Sequence, residues 1–273
     1  MAIVRDLVTP FAELAGRTAP AALAARWRAE MVEPNGELFR AIEPWVDPAE
    51  AEGRLPSRVG DLLSRAERAR GALDRARALL TPVVPGAGSI PAVLLVGLGG
   101  SNGWAAVVRG EPTLFLAVEC LPADGYDVVL ALHELLHAAH LRRAARGWPE
   151  DRPEADLFRE GLAVHATARL LPQVEASGHL WFAPGREDWI ARCEREREAI
   201  RRGFRADWGR PGRSARWFTG IADRPGPLPV RCGYWLGWHL VDRLLAGESI
   251  ASAVGWPPAE AMERLRRQLD EPF

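Results

Sequence analysis

The chain has no lysine, only three cysteines and no long apolar run. Cys120, Cys193 and Cys232 are odd in number and widely spaced, which argues against a disulfide framework or a Cys-x-x-Cys metal site and predicts buried thiols in a reducing compartment. No stretch approaches the roughly 20 apolar residues of a membrane-spanning helix. The first residues show no basic segment followed by an apolar core, so we expect no signal peptide and a cytoplasmic location.

Neither sign of charge dominates, since 35 basic side chains face 36 acidic ones and the formal net charge is -1. This balance argues against a nucleic-acid partner or a membrane-surface role. The use of arginine alone is explained most simply by the base composition of a GC-rich genome. Hydrophobic residues make up 48% of the 273 residues, which is ample for a substantial core.

Histidine is also scarce, yet two of the six histidines fall in one motif, His133-Glu134-Leu135-Leu136-His137. Positions four apart on an α-helix lie one above the other, so both imidazoles can face a single metal ion. Glu134 is rotated by about 100° from His133 and can reach a water on that metal. We therefore predict a zinc-binding helix in which His133 and His137 are ligands and Glu134 is the general base.

A catalytic zinc ion needs a third protein ligand and an open position for water. The metzincin pattern would require a glycine in place of His140 and a histidine in place of Arg143, so that class is disfavoured. Further along, a helical segment of apolar periodicity carries Glu160 beside the small residues Gly161 and Ala163, which would allow a close approach to the first helix. We predict Glu160 as the third ligand.

These two segments together resemble the gluzincin-type zinc metallopeptidases, in which a Glu-Gly-x-Ala-like segment completes an H-E-x-x-H site. More narrowly, the chain is similar to a bacterial family of proposed zinc-dependent proteases that carries a domain of unknown function and a Gly-Tyr-x-x-Gly segment nearer its C-terminus. Gly233, Tyr234 and Gly237 match that segment. The resemblance covers about residues 90 to 270 and implies a zincin-like domain that binds Zn²⁺ and cleaves peptide bonds.

One position departs from the gluzincin pattern. Many gluzincins place an aspartate four residues after the glutamate ligand, where it holds a zinc histidine, and this chain has Val164 there. Asp156, four residues before Glu160 and on the same helix face, is a candidate for this supporting role.

Tyr234 stands near the start of an apolar helix predicted over residues 233–246. A phenol close to the metal can donate a hydrogen bond to the oxyanion of a tetrahedral intermediate, so Tyr234 is the candidate for this catalytic role, with His239 behind it. The alternative is a tyrosine that simply packs at the start of a helix.

The remaining pattern predicts an α+β fold that is mostly helical, with a small antiparallel or mixed sheet beside the zinc helix. Prolines break residues 1–56 into short helices, and residues 56–80 form an amphipathic helix. Short β-rich runs begin at residues 91, 104 and 113. We divide the chain into an N-terminal helical region, residues 1–85, and a zincin-like catalytic domain, residues 86–273, which together form one compact body.

The other histidines have simpler explanations than metal binding. His140 lies three residues beyond His137 on nearly the same face, where it either packs or supports the site, and a contact with the metal stays open. We expect His165 to pack near the core and His179 to lie in a loop.

Three further segments carry charge. Glu150, Asp151 and Glu154 are expected to be solvated loop residues. Residues 186–204 are expected to form one charged helix with a solvated outer face. Residues 209–229 are predicted to form a long loop that either covers the site, binding substrate through Arg210, Arg213, Arg216 and Trp217, or has no such role.

The sequence thus predicts a zinc-dependent metallopeptidase. In the expected mechanism, His133, His137 and Glu160 hold Zn²⁺, the ion acidifies a water, and Glu134 passes the proton of that water to the leaving amine. Two alternatives remain at this stage: a zinc hydrolase that acts on a non-peptide substrate, and an inactive zinc-containing binding module. The partner expected is a peptide or protein substrate.

Overall fold

The computed structural model describes residues 3–41, 60–144, 147–219 and 227–271. The chain divides into two compact units, Met1–Arg142 and Arg143–Phe273. The functional division expected between residues 85 and 86 stays a prediction. Within the described ranges, no helix combines the length and the apolar character that crossing a bilayer requires.

The first unit combines short helices, a small sheet and two long helices. Its strands and α-helices are β1 (Val4–Asp6), α1 (Val8–Gly16), α2 (Pro20–Trp27), α3 (Gly36–Arg40), α4 (Gly60–Leu80), β2 (Ala92–Leu95), β3 (Gly103–Val108), β4 (Glu111–Ala117) and α5 (Tyr126–Arg143). Arg28–Val32 forms a π-helical turn, and 3-10 turns lie at Glu33–Asn35, Ala87–Ser89 and Val118–Cys120.

The sheet is mixed, with the strand order β1-β2-β4-β3. β1 is parallel to β2 and β2 is parallel to β4, so the antiparallel pairing expected from the sequence holds only for β3 with β4. The physical reason lies in burial: β2 is buried at every position and β4 at all but its first, and such continuous apolar runs are typical of parallel strands. The coarser expectation, a mostly helical α+β fold with a small sheet, is confirmed.

β1 was not expected, because residues 1–56 were predicted to form short helices only. Its three residues are too few to show a period of two, and the pairing of Val4 with Ala92 defines the strand. The Asp6 carboxylate then accepts hydrogen bonds from the backbone N–H groups of Val8 and Thr9, which satisfies donors at the start of α1.

α4 confirms the amphipathic helix predicted near residues 56–80. The buried side chains recur every three or four residues and include Leu62, Ala66, Ala69, Leu73, Ala76 and Leu80. The residues between them are mainly arginine and acidic side chains, so the helix covers the core with one face and leaves the other to solvent.

The second unit is helical throughout the residues that the structure describes. Its helices are α6 (Pro153–Leu170), α7 (Ala176–Trp181), α8 (Glu187–Arg195), α9 (Arg197–Asp207), α10 (Ser214–Phe218), α11 (Cys232–Leu244), α12 (Ile250–Ala253) and α13 (Pro258–Asp270). α11 agrees with the helix that the sequence predicted over residues 233–246.

Two predictions for this unit were wrong in detail. The single charged helix expected over residues 186–204 is two helices, α8 and α9, which separate at Glu196, where the backbone leaves helical geometry. The segment 209–229, predicted as a loop, contains the short helix α10, and its residues 220–226 lie outside the described part of the chain.

α6 and α11 cross where two glycines face each other. A Cβ atom added to Gly161 would lie 2.4 Å from the carbonyl oxygen of Gly237, and one added to Gly237 would lie 2.6 Å from the carbonyl oxygen of Leu157. Both obstacles are backbone atoms, so no side chain can turn away to make room. Gly161 therefore serves the close packing of its helix against α11.

Replacing Gly237 with alanine is expected to lower the free energy of unfolding by about 1–3 kcal/mol, or more, because the two helices must move apart. Denaturant unfolding of the purified variant measures this change. Gly247→Ala is the matched control, since an added Cβ there meets nothing within 4 Å. Equal losses in the two variants would contradict the steric explanation.

The cysteines agree with most of the prediction made for them. Cys193 and Cys232 are buried free thiols, whereas Cys120 is partly exposed. Burial is the main cause that raises the pKa of Cys120 to about 11, so this thiol is protonated at neutral pH in spite of its partial exposure.

Candidate metal centre

α5, the helix that carries the His-Glu-x-x-His motif, is anchored at its first turn by Asp127. The fully buried carboxylate of Asp127 accepts hydrogen bonds from the N–H groups of Gly125, at 3.2 Å, and Val128, at 2.8 Å. It also lies 3.4 Å from the Nε atom of Arg68, which compensates its charge. A carboxylate at a helix N-terminus interacts favourably with the helix dipole.

His133 and His137 lie one turn apart on α5 and aim their rings at each other. Their Nε2 atoms are 3.0 Å apart, and the ring planes meet at 77°. Two nitrogens that share a tetrahedral zinc ion at about 2.0 Å lie about 3.3 Å apart. The pair is therefore already close to the spacing that a shared metal ion requires.

Glu160 completes a group of three potential ligands. One ligand atom each from His133, His137 and Glu160 can be chosen so that all three lie within 4.8 Å of one another. His133 is buried, and the other two are half-buried. Two imidazoles and one carboxylate are a donor set that zinc accepts in catalytic sites, so the residues fit the ion that the sequence predicts. Metal binding itself stays a prediction.

Glu134, the predicted general base, is a buried carboxylate with only 7% of its surface exposed. Its side chain lies against the start of β3, since a Cβ atom added to Gly103 would lie 2.9 Å from the Cγ atom of Glu134. The same atom would lie 3.2 Å from the carbonyl oxygen of Phe115 on β4. Gly103 thus leaves the space that Glu134 occupies. The sequence alone gives no sign of this role for Gly103.

The remaining histidines fall into different surroundings. His140 is buried on α5 and directly follows two buried alanines, Ala138 and Ala139. His165 packs in the core, as predicted, with its Nδ1 atom 3.0 Å from a carboxylate oxygen of Asp242, and burial lowers its pKa. The loop position predicted for His179 was wrong, because this residue is buried in α7, 3.1 Å from the hydroxyl of Thr167.

One carboxylate was also placed wrongly by the sequence. Glu154, expected in a solvated loop, is 6% exposed and lies in the first turn of α6, where it accepts a hydrogen bond of 2.9 Å from the N–H group of Gly209. Asp156, the candidate support for the site, forms an ion pair with Arg159 on its own helix.

Tyr234 lies in the first turn of α11 and is half-buried. Its ring lies between two neighbours: the Phe218 ring, in an edge-to-face contact at 5.5 Å, and the Arg231 guanidinium, 4.5 Å from the ring centre. His239, further along the same helix, lies 3.4 Å from a carboxylate oxygen of Glu194, and burial lowers its pKa.

Two side chains of the arginine- and tryptophan-rich segment 209–229 contact a carboxylate of the same chain. Trp217 is buried and donates a hydrogen bond of 3.1 Å to Asp207, and Arg216 forms an ion pair of 3.0 Å with the same carboxylate. Two of the four side chains considered for substrate binding are therefore held by Asp207.

Comparisons of the chain with protein-family models, with curated proteins and with solved structures found no match.

Proposed function

We propose that the chain is a zinc-dependent hydrolase, and more narrowly a metallopeptidase of the gluzincin type with a zincin-like fold. The observation that carries the proposal is the convergence of the Nε2 atoms of His133 and His137, 3.0 Å apart, on the helix that also carries the buried Glu134. A purely structural metal site has no use for a carboxylate placed between its two histidines. This arrangement favours catalysis over a binding module.

In this proposal, His133, His137 and Glu160 would hold a Zn²⁺ ion. Two neutral imidazoles and one carboxylate leave a divalent ion with a net charge of about +1. When bound, such an ion would supply Lewis acidity for a scissile carbonyl and would lower the pKa of a water molecule. Glu134 accepts the proton of the attacking water and delivers it to the leaving amine.

Tyr234 is the proposed donor to the oxyanion that forms when the carbonyl is attacked. Its contacts with Phe218 and Arg231 restrict the ring, and a restricted donor is more effective than a mobile one. Removal of such a donor lowers kcat by about 10²- to 10³-fold in enzymes that use one.

The expected substrate is a peptide or a protein, and the expected location is the cytoplasm. The nearly neutral charge of the chain supports this substrate class over a nucleic acid or a membrane surface.

Removal of the metal tests the proposal most directly. Dialysis against a chelator is expected to abolish cleavage of a mixed peptide library, and about one equivalent of Zn²⁺ per chain is expected to restore it, because both Lewis acidity and the acidified water depend on the ion. Mass spectrometry of the library measures cleavage before chelation, after chelation and after the return of zinc.

Three outcomes separate the possible functions. Peptide cleavage that persists after complete removal of metal would contradict a metal-dependent hydrolase. Metal-dependent hydrolysis of esters or non-peptide amides, without peptide cleavage, would identify the non-peptide alternative. Tight zinc binding without any hydrolysis would identify an inactive zinc-containing module.

A further inference from the structure

A second group of charged and aromatic side chains lies at the start of α11. This Arg231 cluster consists of Trp181, Arg186, Trp189, Arg231 and Tyr234. The Arg231 guanidinium carbon is 4.5 Å from the ring centres of both Trp181 and Tyr234, and that of Arg186 is 4.9 Å from the ring centre of Trp181. Trp181 and Trp189 are in edge-to-face contact at 5.2 Å.

The two cations of the cluster have no acidic partner among the residues that the structure describes. Other arginines of the same unit pair with acids, as in Arg192–Glu196, Arg216–Asp207 and Arg267–Glu263. The neighbouring acid Glu187 lies near Ser177, with 3.5 Å between a carboxylate oxygen and the hydroxyl. The cluster therefore holds an uncompensated positive charge within the described part of the chain.

Two buried donors in the cluster also have no acceptor among the described residues. They are the Nε1 atom of Trp181 and the Nε atom of Arg231. The indole N–H of Trp189, by contrast, donates to the carbonyl oxygen of Val230 at 2.8 Å. Buried donors without acceptors are unfavourable in a finished protein interior, and an acceptor supplied by a ligand would remove this cost.

The chemistry of these groups favours a carboxylate. The N–H groups of a guanidinium point outward in its plane, in a fork that matches the two oxygens of a carboxylate. Ring contacts of the cation–π kind do not use these in-plane donors, and one of them, at the Nη2 atom of Arg231, makes a long contact of 3.5 Å with the carbonyl oxygen of Leu180. The indole N–H of Trp181 adds a neutral donor that can bind the same group.

Two members of the Arg231 cluster, Arg231 and Tyr234, lie at the start of α11, which packs against the helix that carries Glu160. Gly237 of α11 touches Gly161, the neighbour of Glu160, and Arg231 lies six residues before Gly237. At about 1.5 Å per helical residue, this separation is about 9 Å along the helix axis.

We propose that the Arg231 cluster is a binding site for the carboxylate of a peptide ligand, with Arg231, Arg186 and the indole N–H of Trp181 as its donors. Binding at this site is independent of hydrolysis. Only the further step, in which the anchored peptide is the substrate, rests on the proposed function.

Isothermal titration calorimetry with three tripeptides tests the site. The probes are N-acetyl-trialanine with a free C-terminal carboxylate, the same peptide as the C-terminal amide, and N-acetyl-Ala-Ala-Glu amide, which carries its carboxylate on a side chain. Titrations in a Glu134→Gln protein avoid turnover. We expect the free acid to bind about 10-fold or more tightly than the trialanine amide, since charge-assisted hydrogen bonds are the strong ones. The third peptide tells whether the site prefers a terminal or a side-chain carboxylate.

Three variants assign the preference to the cluster. Arg231→Gln and Arg186→Gln are each expected to weaken binding of the free acid by about 10- to 100-fold and to leave the amide unchanged. Trp181→Phe keeps an aromatic ring but removes the indole N–H group, and is expected to weaken binding of the free acid by about 3- to 10-fold. Arg267→Gln is the control, because it removes one positive charge from an arginine that is paired with Glu263 and lies outside the cluster.

Equal affinities for the free acid and the two amides, or no measurable binding of any probe, would overturn the proposal. A preference for carboxylates that all three variants retain would also overturn it, because the carboxylate would then bind elsewhere. Arg186 is exposed, so its variant remains informative if Arg231→Gln does not fold. Carboxylate binding that the three variants weaken, together with a wild-type chain that hydrolyses none of the peptides, would support the site and contradict the proposed function.

Discussion

The Glu134→Gln variant is expected to lose peptide hydrolysis by about 10²- to 10⁴-fold while it keeps its zinc. The amide has nearly the same size and shape as the carboxylate but cannot take up a proton from water. Glu134 is not one of the three residues grouped as potential ligands, so metal affinity should be nearly unchanged. Initial rates give kcat/KM, and elemental analysis of the same sample gives the zinc content per chain.

Glu154→Gln is the matched control for this variant. Its carboxylate is buried to the same degree, 6% exposed against 7%, and it lies outside the group of potential ligands. We expect this control to keep its hydrolytic rate even if the lost hydrogen bond to Gly209 lowers its stability. Loss of zinc in Glu134→Gln would make Glu134 a ligand, and full activity would require another general base.

The Glu160→Ala variant is expected to lose zinc that the wild-type chain retains at about one ion per chain after dialysis. Mutation of residues that only support metal ligands commonly costs 10- to 100-fold in affinity, so removal of a ligand should cost about 100-fold or more. Two imidazoles on one helix then remain, and they carry no charge to balance the ion. Elemental analysis of both proteins after the same dialysis measures the difference.

Asp156→Ala provides the control within the same helix. Asp156 lies four residues before Glu160 and pairs with Arg159, so its removal is expected to leave the zinc content near that of the wild type. A loss of zinc in both variants would instead assign Asp156 the supporting role considered from the sequence. Zinc that is unaffected in Glu160→Ala would mean that another residue completes the site, and wild-type protein without zinc would contradict a metal centre.

Local spacing accounts for the predictions that the structure confirmed. The stripe of α4 and the pairing of His133 with His137 depend on positions three and four residues apart, which the geometry of a single helix brings together. The prediction of Glu160 depended on chemistry rather than spacing: a third ligand was required, and a carboxylate beside small residues was available. The structure groups Glu160 with the two histidines, and their binding of a metal ion stays a prediction.

Several of the predictions that failed concern contacts between distant parts of the chain. β1 is defined by its pairing with β2, and Glu154 is buried by its hydrogen bond with Gly209. His179 is held by Thr167, on another helix. None of these contacts leaves a period in the residues on either side, so composition and pattern cannot show them.

The sequence by itself therefore determined the helix of the candidate metal centre and the relation of Glu134 to its two histidines, because i and i+4 geometry is set within one helix. Only the tertiary structure decided the mixed order of the sheet, the glycine crossing of Gly161 with Gly237, and the placement of Arg231 against Trp181 and Tyr234. These features arise from packing between elements, where the fit of whole surfaces selects the neighbours and the local sequence leaves many arrangements possible.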